Sequence, residues 1–400
     1  MQSTKDSLLR VAPLTELQAK GIVVVKGGGH TIAVVAHDGR VSAVDNRCPH
    51  MGFPLHKGTV QDGILTCHWH HARFDLCSGC TFDLFADDVP AYDTEVRDGI
   101  VFVASHPRQG NRRDYYLRRL QDGMQQGISL IQAKCLIGLM QSGVEHRDIV
   151  RQVALFGLHN RDDWQAGITS LTAMANLVPR LKEETAYLAL YQGTRRVAAD
   201  AAGQAPRRQR QALETRDHSL ETLKRWLRYW TLVRQRDGAE RTLLTAVENG
   251  AAPEQLADLL FTAITDRYYS AVGHLLDFSN KAFELLDLIG WQHAREVLPS
   301  IVAQLVSSRG GEESNSWRHP VDLVPPLQEV GREIVELFEK GKGKRWSGER
   351  ELSAQLLGED PLKIIKALKE AIRSGAQPQQ LSKSLAYAAA MRIAHFGTAN

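Results

Sequence analysis

Cysteine is scarce in this chain. Five among 400 residues cannot staple a disulfide scaffold of this size. Net charge is nearly absent as well: 49 Lys plus Arg against 46 Asp plus Glu leave +3 at pH 7, too little to point to nucleic acid or an acidic membrane surface. No run of 18 uninterrupted apolar residues occurs, so no membrane-spanning helix is expected. The opening MQSTKDSLLRVAPL has no basic stretch leading into an apolar run, so no secretory leader is expected either. What remains is ordinary: 43% apolar and 24% charged residues, the composition of a soluble globular protein rather than a disordered or collagen-like one. The length allows roughly two to four domains. Four of the five cysteines crowd between Cys48 and Cys80, and a reducing cytoplasm with thiols free for metal is the expectation.

The chain has two halves with different patterning. Residues 1–107 read as β-structure, with short β-branched runs between turn signals. Asp38-Gly39, Asp62-Gly63 and Asp98-Gly99 each sit between apolar runs, which predicts three tight hairpins. Ile100 to Ala104 reads as a closing strand, and residues 108–114 as a linker. From Tyr115 onward apolar residues recur at helical spacing, as in Ile128, Ile131, Cys135, Leu136 and Leu139, so residues 115–400 are expected to be helical, with loops near 198–212 and 307–326. The expected fold class is therefore an all-β domain followed by a large all-α domain.

The helical half also repeats itself. Gly143, Gly250 and Gly375 each follow a helical pattern and precede a polar turn and a new one. Pro253 and Pro378 suit the first turn of that next helix, and the glycines suit a left-handed terminating position. Ile149, Leu256 and Leu381 stand at the same offset after their glycines. Such long periods indicate duplicated multi-helix units rather than a short solenoid. The third copy stops at Asn400, and the chain is expected to be truncated there.

The chemistry is concentrated in one segment. Cys48-Pro49-His50 is followed, sixteen residues on, by Cys67-His68-Trp69-His70. Each arm offers one thiolate and one imidazole. A zinc site usually takes two cysteines from one arm and two histidines from the other, and a zinc ribbon stays open as the alternative. Two mixed arms facing each other would gather both sulfurs on one side and both imidazoles on the other. An asymmetric [2Fe–2S] cluster needs that division, one iron held by Cys₂ and the other by His₂.

Residues 48–75, CPHMGFPLHKGTVQDGILTCHWHHARFD, closely resemble the two cluster loops of Rieske [2Fe–2S] domains, of the Rieske ferredoxin and nitrite-reductase small-subunit type. Gly52, Pro54-Leu55, Gly58, Trp69 and Phe74-Asp75 match as well, and the resemblance covers about residues 7–106. It implies that Cys48 and Cys67 bind one iron and His50 and His70 the other, with Trp69 and Asp75 supporting the loops. Members of high potential carry an extra cysteine in each loop, tied as a disulfide, and Ser and Tyr hydroxyls near the cluster. The matching positions here are Phe53, Trp69, Ala72 and Phe74. Fewer hydrogen bonds to cluster sulfur mean a lower potential, expected near roughly −150 mV.

Other polar residues have plainer readings. Cys77 and Cys80 form a C-x-x-C without a βαβ setting, so ordinary thiols are expected. His71 reads as an exposed imidazole, and His56 and His68 match no ligand position. No H-x-x-x-x-H occurs anywhere, and the second half reads as helical, which argues against an oxygenase α-subunit. His159, Asp162, Asp163, Asp266, His274, Asp277 and His395 lie late in the repeats; His274 and Asp277 share a helix face, but solvated or core histidines are the expectation. The G-x-x-P-E/Q-Q-L turns resemble the carboxymuconolactone decarboxylase helical family, which implies a fold and no site. The Arg-rich run from Arg207 reads as a solvated helix face, with Trp226 and Trp230 forming its helix's buried stripe. The expected function is a low-potential Rieske-type electron carrier working with a reductase or acceptor enzyme. The alternative is an oxidoreductase whose helical half binds a catalytic metal or haem.

Overall fold

The computed structural model describes residues 8–108, 112–214 and 218–397. It divides into two compact units, one of residues 1–257 and 277–306, the other of residues 258–276 and 307–400.

Among the described residues the β-part of the first unit holds ten strands: β1 (Leu8–Pro13), β2 (Ile22–Gly27), β3 (His30–His37), β4 (Arg40–Asp45), β5 (Thr59–Gln61), β6 (Ile64–Thr66), β7 (Arg73–Asp75), β8 (Ala91–Tyr92), β9 (Thr94–Arg97) and β10 (Ile100–Ala104), with one helix, α1 (Leu14–Lys20). They form three antiparallel sheets, ordered β1-β10-β9, β2-β3-β4-β8 and β5-β6-β7. All three Asp-Gly pairs make the hairpins that their sequence predicts. Asp38, Asp62 and Asp98 have φ of 47°, 50° and 48°, and the following glycines 72°, 74° and 73°. Positive φ at both central residues is the twist-matched two-residue turn of a hairpin. β10 closes its sheet between β1 and β9. Two apolar cores result: Leu17, Ile32, Val34, Ala43, Tyr92, Val101 and Val103 in one, and Leu55, Leu65, Phe74, Leu76 and Val89 around Cys48 and Cys67 in the other.

The rest is helical, as expected. In chain order the longer helices are α2 (Arg112–Gln125), α3 (Ser129–Gln141), α4 (His146–His159), α5 (Ala166–Leu177), α6 (Glu183–Ala201), α7 (Leu220–Leu232), α8 (Arg236–Glu248), α9 (Pro253–Thr265) and α10 (His274–Ile289), then two short ones, α11 (Ala294–Val297) and α12 (Val302–Ser307). α2 starts inside the stretch expected as linker, of which residues 109–111 lie outside the described residues. The second unit contains α13 (Val324–Gly341), α14 (Glu349–Leu356), α15 (Pro361–Arg373) and α16 (Pro378–Phe396), packed around Leu352, Ala371 and Ala376. The three repeat glycines all adopt left-handed backbone, φ 72° at Gly143, 75° at Gly250 and 108° at Gly375, and α4, α9 and α16 begin just after them. Among the described residues no helix is long and apolar enough to cross a membrane.

Two expectations for the Arg-rich run fail. Residues 207–210 lie in the loop expected near 198–212 and not on a helix face, and Arg207 and Arg210 turn inward rather than into solvent. They meet Glu240, 1% exposed, whose carboxylate accepts from Arg210 Nη1 at 2.9 Å and Arg236 Nε at 3.0 Å, with Arg207 Nη2 at 3.8 Å. A buried carboxylate needs such partners; Arg236 shares α8 with Glu240, while Arg207 and Arg210 reach it from the non-helical stretch before α7. The buried stripe of α7 is Leu223, Leu227 and Thr231, one position on from Trp226 and Trp230. Those tryptophans flank it instead, Trp226 against His218 with ring centroids 4.6 Å apart and Trp230 against Gly238.

Candidate metal centre

Two loops, each closed by its own backbone, carry the four candidate donors. In the first, Cys48 N donates to Phe53 O and Gly52 N to Cys48 O, both at 2.8 Å, while Arg47 and Pro54 pair as an isolated bridge. The second is the connection between β6 and β7, where Cys67 N donates to Ala72 O at 2.8 Å. Each loop thus starts with a cysteine rooted in the apolar core, 3% exposed at Cys48 and 1% at Cys67. The chain then turns outward, leaving His50 half-buried and His70 exposed.

The loops bring like donors together. Cys48 and Cys67 lie in one buried apolar cluster, and the His50 and His70 rings meet edge to face with centroids 4.8 Å apart. Burial pushes the Cys48 thiol up; the backbone N–H of His50 pulls it down, the Cys67 thiol pushes it up again, and the N–H of Met51 pulls it down. Burial also holds the His50 imidazole below its ordinary value, with His70 and Lys134 adding to the effect. A neutral imidazole is the form that ligates metal, and His50 Nδ1 is buried with no hydrogen-bond partner. That orphaned lone pair is what a metal would satisfy.

Among the described residues no group of three or more His, Cys, Asp and Glu side chains gathers for one metal ion. A two-iron cluster asks for less: bridging sulfides complete each iron, so two protein donors per iron suffice.

The surroundings follow from the neighbouring residues. Trp69 lies tilted against Phe53 at 6.0 Å and against His70 at 5.0 Å, so aromatic packing joins the loops at the two positions noted above. Trp69 is nonetheless 54% exposed. Ala72 and Phe74 are fully buried and bring no hydroxyl. Asp75 accepts from Cys77 N at 3.1 Å and Ser78 N at 3.0 Å, organising the turn after β7. Cys77 and Cys80 in that turn are exposed and unbonded thiols. His56 is taken up by Asn46, Nδ1 to Oδ1 at 3.0 Å, and His68 by Thr59 at 3.4 Å.

The late-repeat residues have other partners. Asp162 pairs with Arg236 at 2.8 Å and Asp163 with Arg161 at 2.8 Å. His395 Nδ1 bonds the Met391 carbonyl of its own helix at 2.7 Å. His274 and Asp277 share the first turn of α10.

Four residues that sequence reasoning missed also shape the site. Phe85 packs on His50, ring centroids 5.1 Å apart. Its loop is gripped by α2, where Arg119 donates to Leu84 O at 2.8 Å and to Ala86 O, and Tyr115 donates to Asp87. Lys134 of α3 donates to Pro49 O, and to His50 O at 3.3 Å. Burial lowers the Lys134 ammonium from its ordinary value. The one available signal was Lys134 itself, a cation between the apolar positions Ile131 and Cys135.

A small β-domain that offers two buried thiols and two outer imidazoles from paired loops belongs to the iron–sulfur electron-transfer class. Residues 7–92 match the family model of the Rieske [2Fe–2S] domain, and this chain belongs to the Rieske family. It is 32% identical over 80 residues to the 3-phenylpropionate/cinnamic acid dioxygenase ferredoxin subunit of Photorhabdus laumondii, covering 20% of this chain and 76% of that one. To the vanillate O-demethylase oxygenase subunit of a Pseudomonas species it is 37% identical over 88 residues, covering 20% and 24%. Among solved structures, the ferredoxin of carbazole 1,9a-dioxygenase from Nocardioides aromaticivorans matches with 28% identity and TM-score 0.24, over 25% of this chain and 99% of that one. The chain spans about 12% to 24% of the length of the oxygenase relatives it matches. Its cofactor is a [2Fe–2S] cluster, and its relatives are components of electron-transfer systems.

Proposed function

We propose that this chain is a low-potential, one-electron carrier. Residues 1–107 form its electron-carrying domain, residues 115–400 a helical module beside it, and residues 108–114 the join. Cys48 and Cys67 hold the inner iron, and His50 and His70 the outer one. When bound, the cluster stores a single electron. The chain's own residues do the rest: the core around Cys48 and Cys67 keeps water from the thiolate side, and Trp69 and His70 form the exposed edge where a partner approaches. The observation that carries this is the grouping of like donors, both cysteines in one core cluster and imidazole beside imidazole at the rim.

A low potential is supported by Ala72 and Phe74, which deny the cluster two hydroxyl donors. The named relatives include a dioxygenase ferredoxin subunit, so the partner proposed is a redox protein, a reductase as donor or an acceptor enzyme. Purification under anaerobic, iron-replete conditions followed by a redox titration tests the proposal. The expected result is two irons and two acid-labile sulfides per chain, one electron taken up, and a midpoint near roughly −150 mV. Cys67→Ser and His70→Ala should each abolish the cluster. A colourless zinc-loaded chain overturns the proposal, and a midpoint above about +100 mV overturns its account of the potential.

A further inference from the structure

We propose that Lys134, on α3 of the helical region, is a positioning residue that acts on the iron–sulfur centre through the two peptide groups of its first loop and favours the reduced state. This rests on the cluster assignment above and extends it to a residue outside the Rieske match.

The geometry is specific. Lys134 Nζ donates to the carbonyls of Pro49 and His50. The Pro49 carbonyl belongs to the same peptide group as the His50 N–H, and the His50 carbonyl to the same group as the Met51 N–H. Both peptide groups lie in the first ligand loop, directly after Cys48 in the chain. Lys134 therefore grips the oxygen ends of the two peptide groups that flank the ligand His50. A cation on a carbonyl polarises its peptide and strengthens the donor at the far end. Stronger N–H donors in a ligand loop, and a positive charge held where water is scarce, both favour the state with one more electron.

The step is a simple one-electron addition. A one-electron reductant, a reduced viologen in the test below, loses the electron and the iron pair gains it. No bond to protein forms or breaks, and Lys134 keeps its protons throughout. Linkage then requires the converse: if Lys134 favours reduction, reduction strengthens the hold of Lys134 on the loop by the same factor. The state of the cluster is thereby passed to α3. Arg119 and Tyr115 of α2 hold the neighbouring Phe85 loop independently, so loss of Lys134 alone leaves the two regions attached.

The test uses the full, cluster-loaded chain. Redox titration of wild type, Lys134→Met and Lys134→Arg at pH 7 should show the Met variant about tenfold harder to reduce, a shift of about −59 mV for one electron. The Arg variant should stay within threefold of wild type. A loaded Met variant whose potential equals that of wild type, or an Arg variant that shifts as far as Met, overturns the inference alone. A wild-type chain that carries no iron and sulfide overturns the cluster assignment, and the inference with it. Amide exchange in wild type gives a readout that needs no variant: residues 48–53 and 129–141 should exchange more slowly in the reduced protein, and equal rates in both states overturn the coupling.

Discussion

His71 holds a backbone conformation that an L-residue reaches only at a cost. Its φ is +57°, in the second cluster loop directly after His70, and its ring is exposed. The left-handed region costs about 1–2 kcal/mol for a residue with a Cβ, while glycine returns about 0.5–1 kcal/mol of that through its freer unfolded chain. His71→Gly should therefore be neutral to stabilising by up to about 1.5 kcal/mol, read from the denaturant midpoint. A loss above about 1 kcal/mol would show that the imidazole makes a contribution of its own. At this scale the donors were legible because chemistry restricts them to two residue types at short spacing. Lys134 and Glu240 were not. Each takes its meaning from a partner far along the chain, Lys134 from Pro49 and His50 and Glu240 from Arg210, and no local pattern announces such a pairing.

The loop between β7 and β8 decides how the site is walled. Asp83 anchors it, accepting from Arg73 N at 2.7 Å, Nε at 3.2 Å and Nη2 at 2.6 Å. These bonds, first the side-chain one from Arg73, hold the Asp83 carboxyl below its ordinary value. A depressed carboxyl stabilises the fold at neutral pH and loses that contribution as pH falls from about 4 toward its lowered value. Asp83→Asn should lower Tm by roughly 2–4 °C at pH 7, and the gap from wild type should narrow progressively as pH falls below about 4. A gap that persists undiminished at pH 3 would place the effect in packing rather than charge. Hairpins were the most legible elements, since Asp-Gly between two strand-like apolar runs favours the two-residue turn, whereas Asp122-Gly123 and Asp237-Gly238, set in helical patterns, lie inside α2 and α8. The walls of the site were not, because Phe85 reaches His50 through a loop held by Arg119 and Tyr115 of α2. The expected α7 stripe was off by one position for a related reason: bulk made Trp226 and Trp230 look like core, but Leu223, Leu227 and Thr231 face inward.

Over the whole molecule, the change from β to α grammar was visible in the residues, since period-two and period-3.6 patterns differ plainly. The grouping into compact units was not. The first unit takes in the β-domain together with helices as far as residue 257 and residues 277–306, because unit membership depends on long-range packing. Everything functional proposed here depends on two unlike irons in one small domain. Mössbauer spectroscopy of the full chain, grown on ⁵⁷Fe and oxidised, tests this most directly. Two iron sites of equal area and distinct isomer shift are the predicted result, one for the thiolate side and one for the imidazole side. A single equivalent pair, or no iron signal at all, would contradict the account.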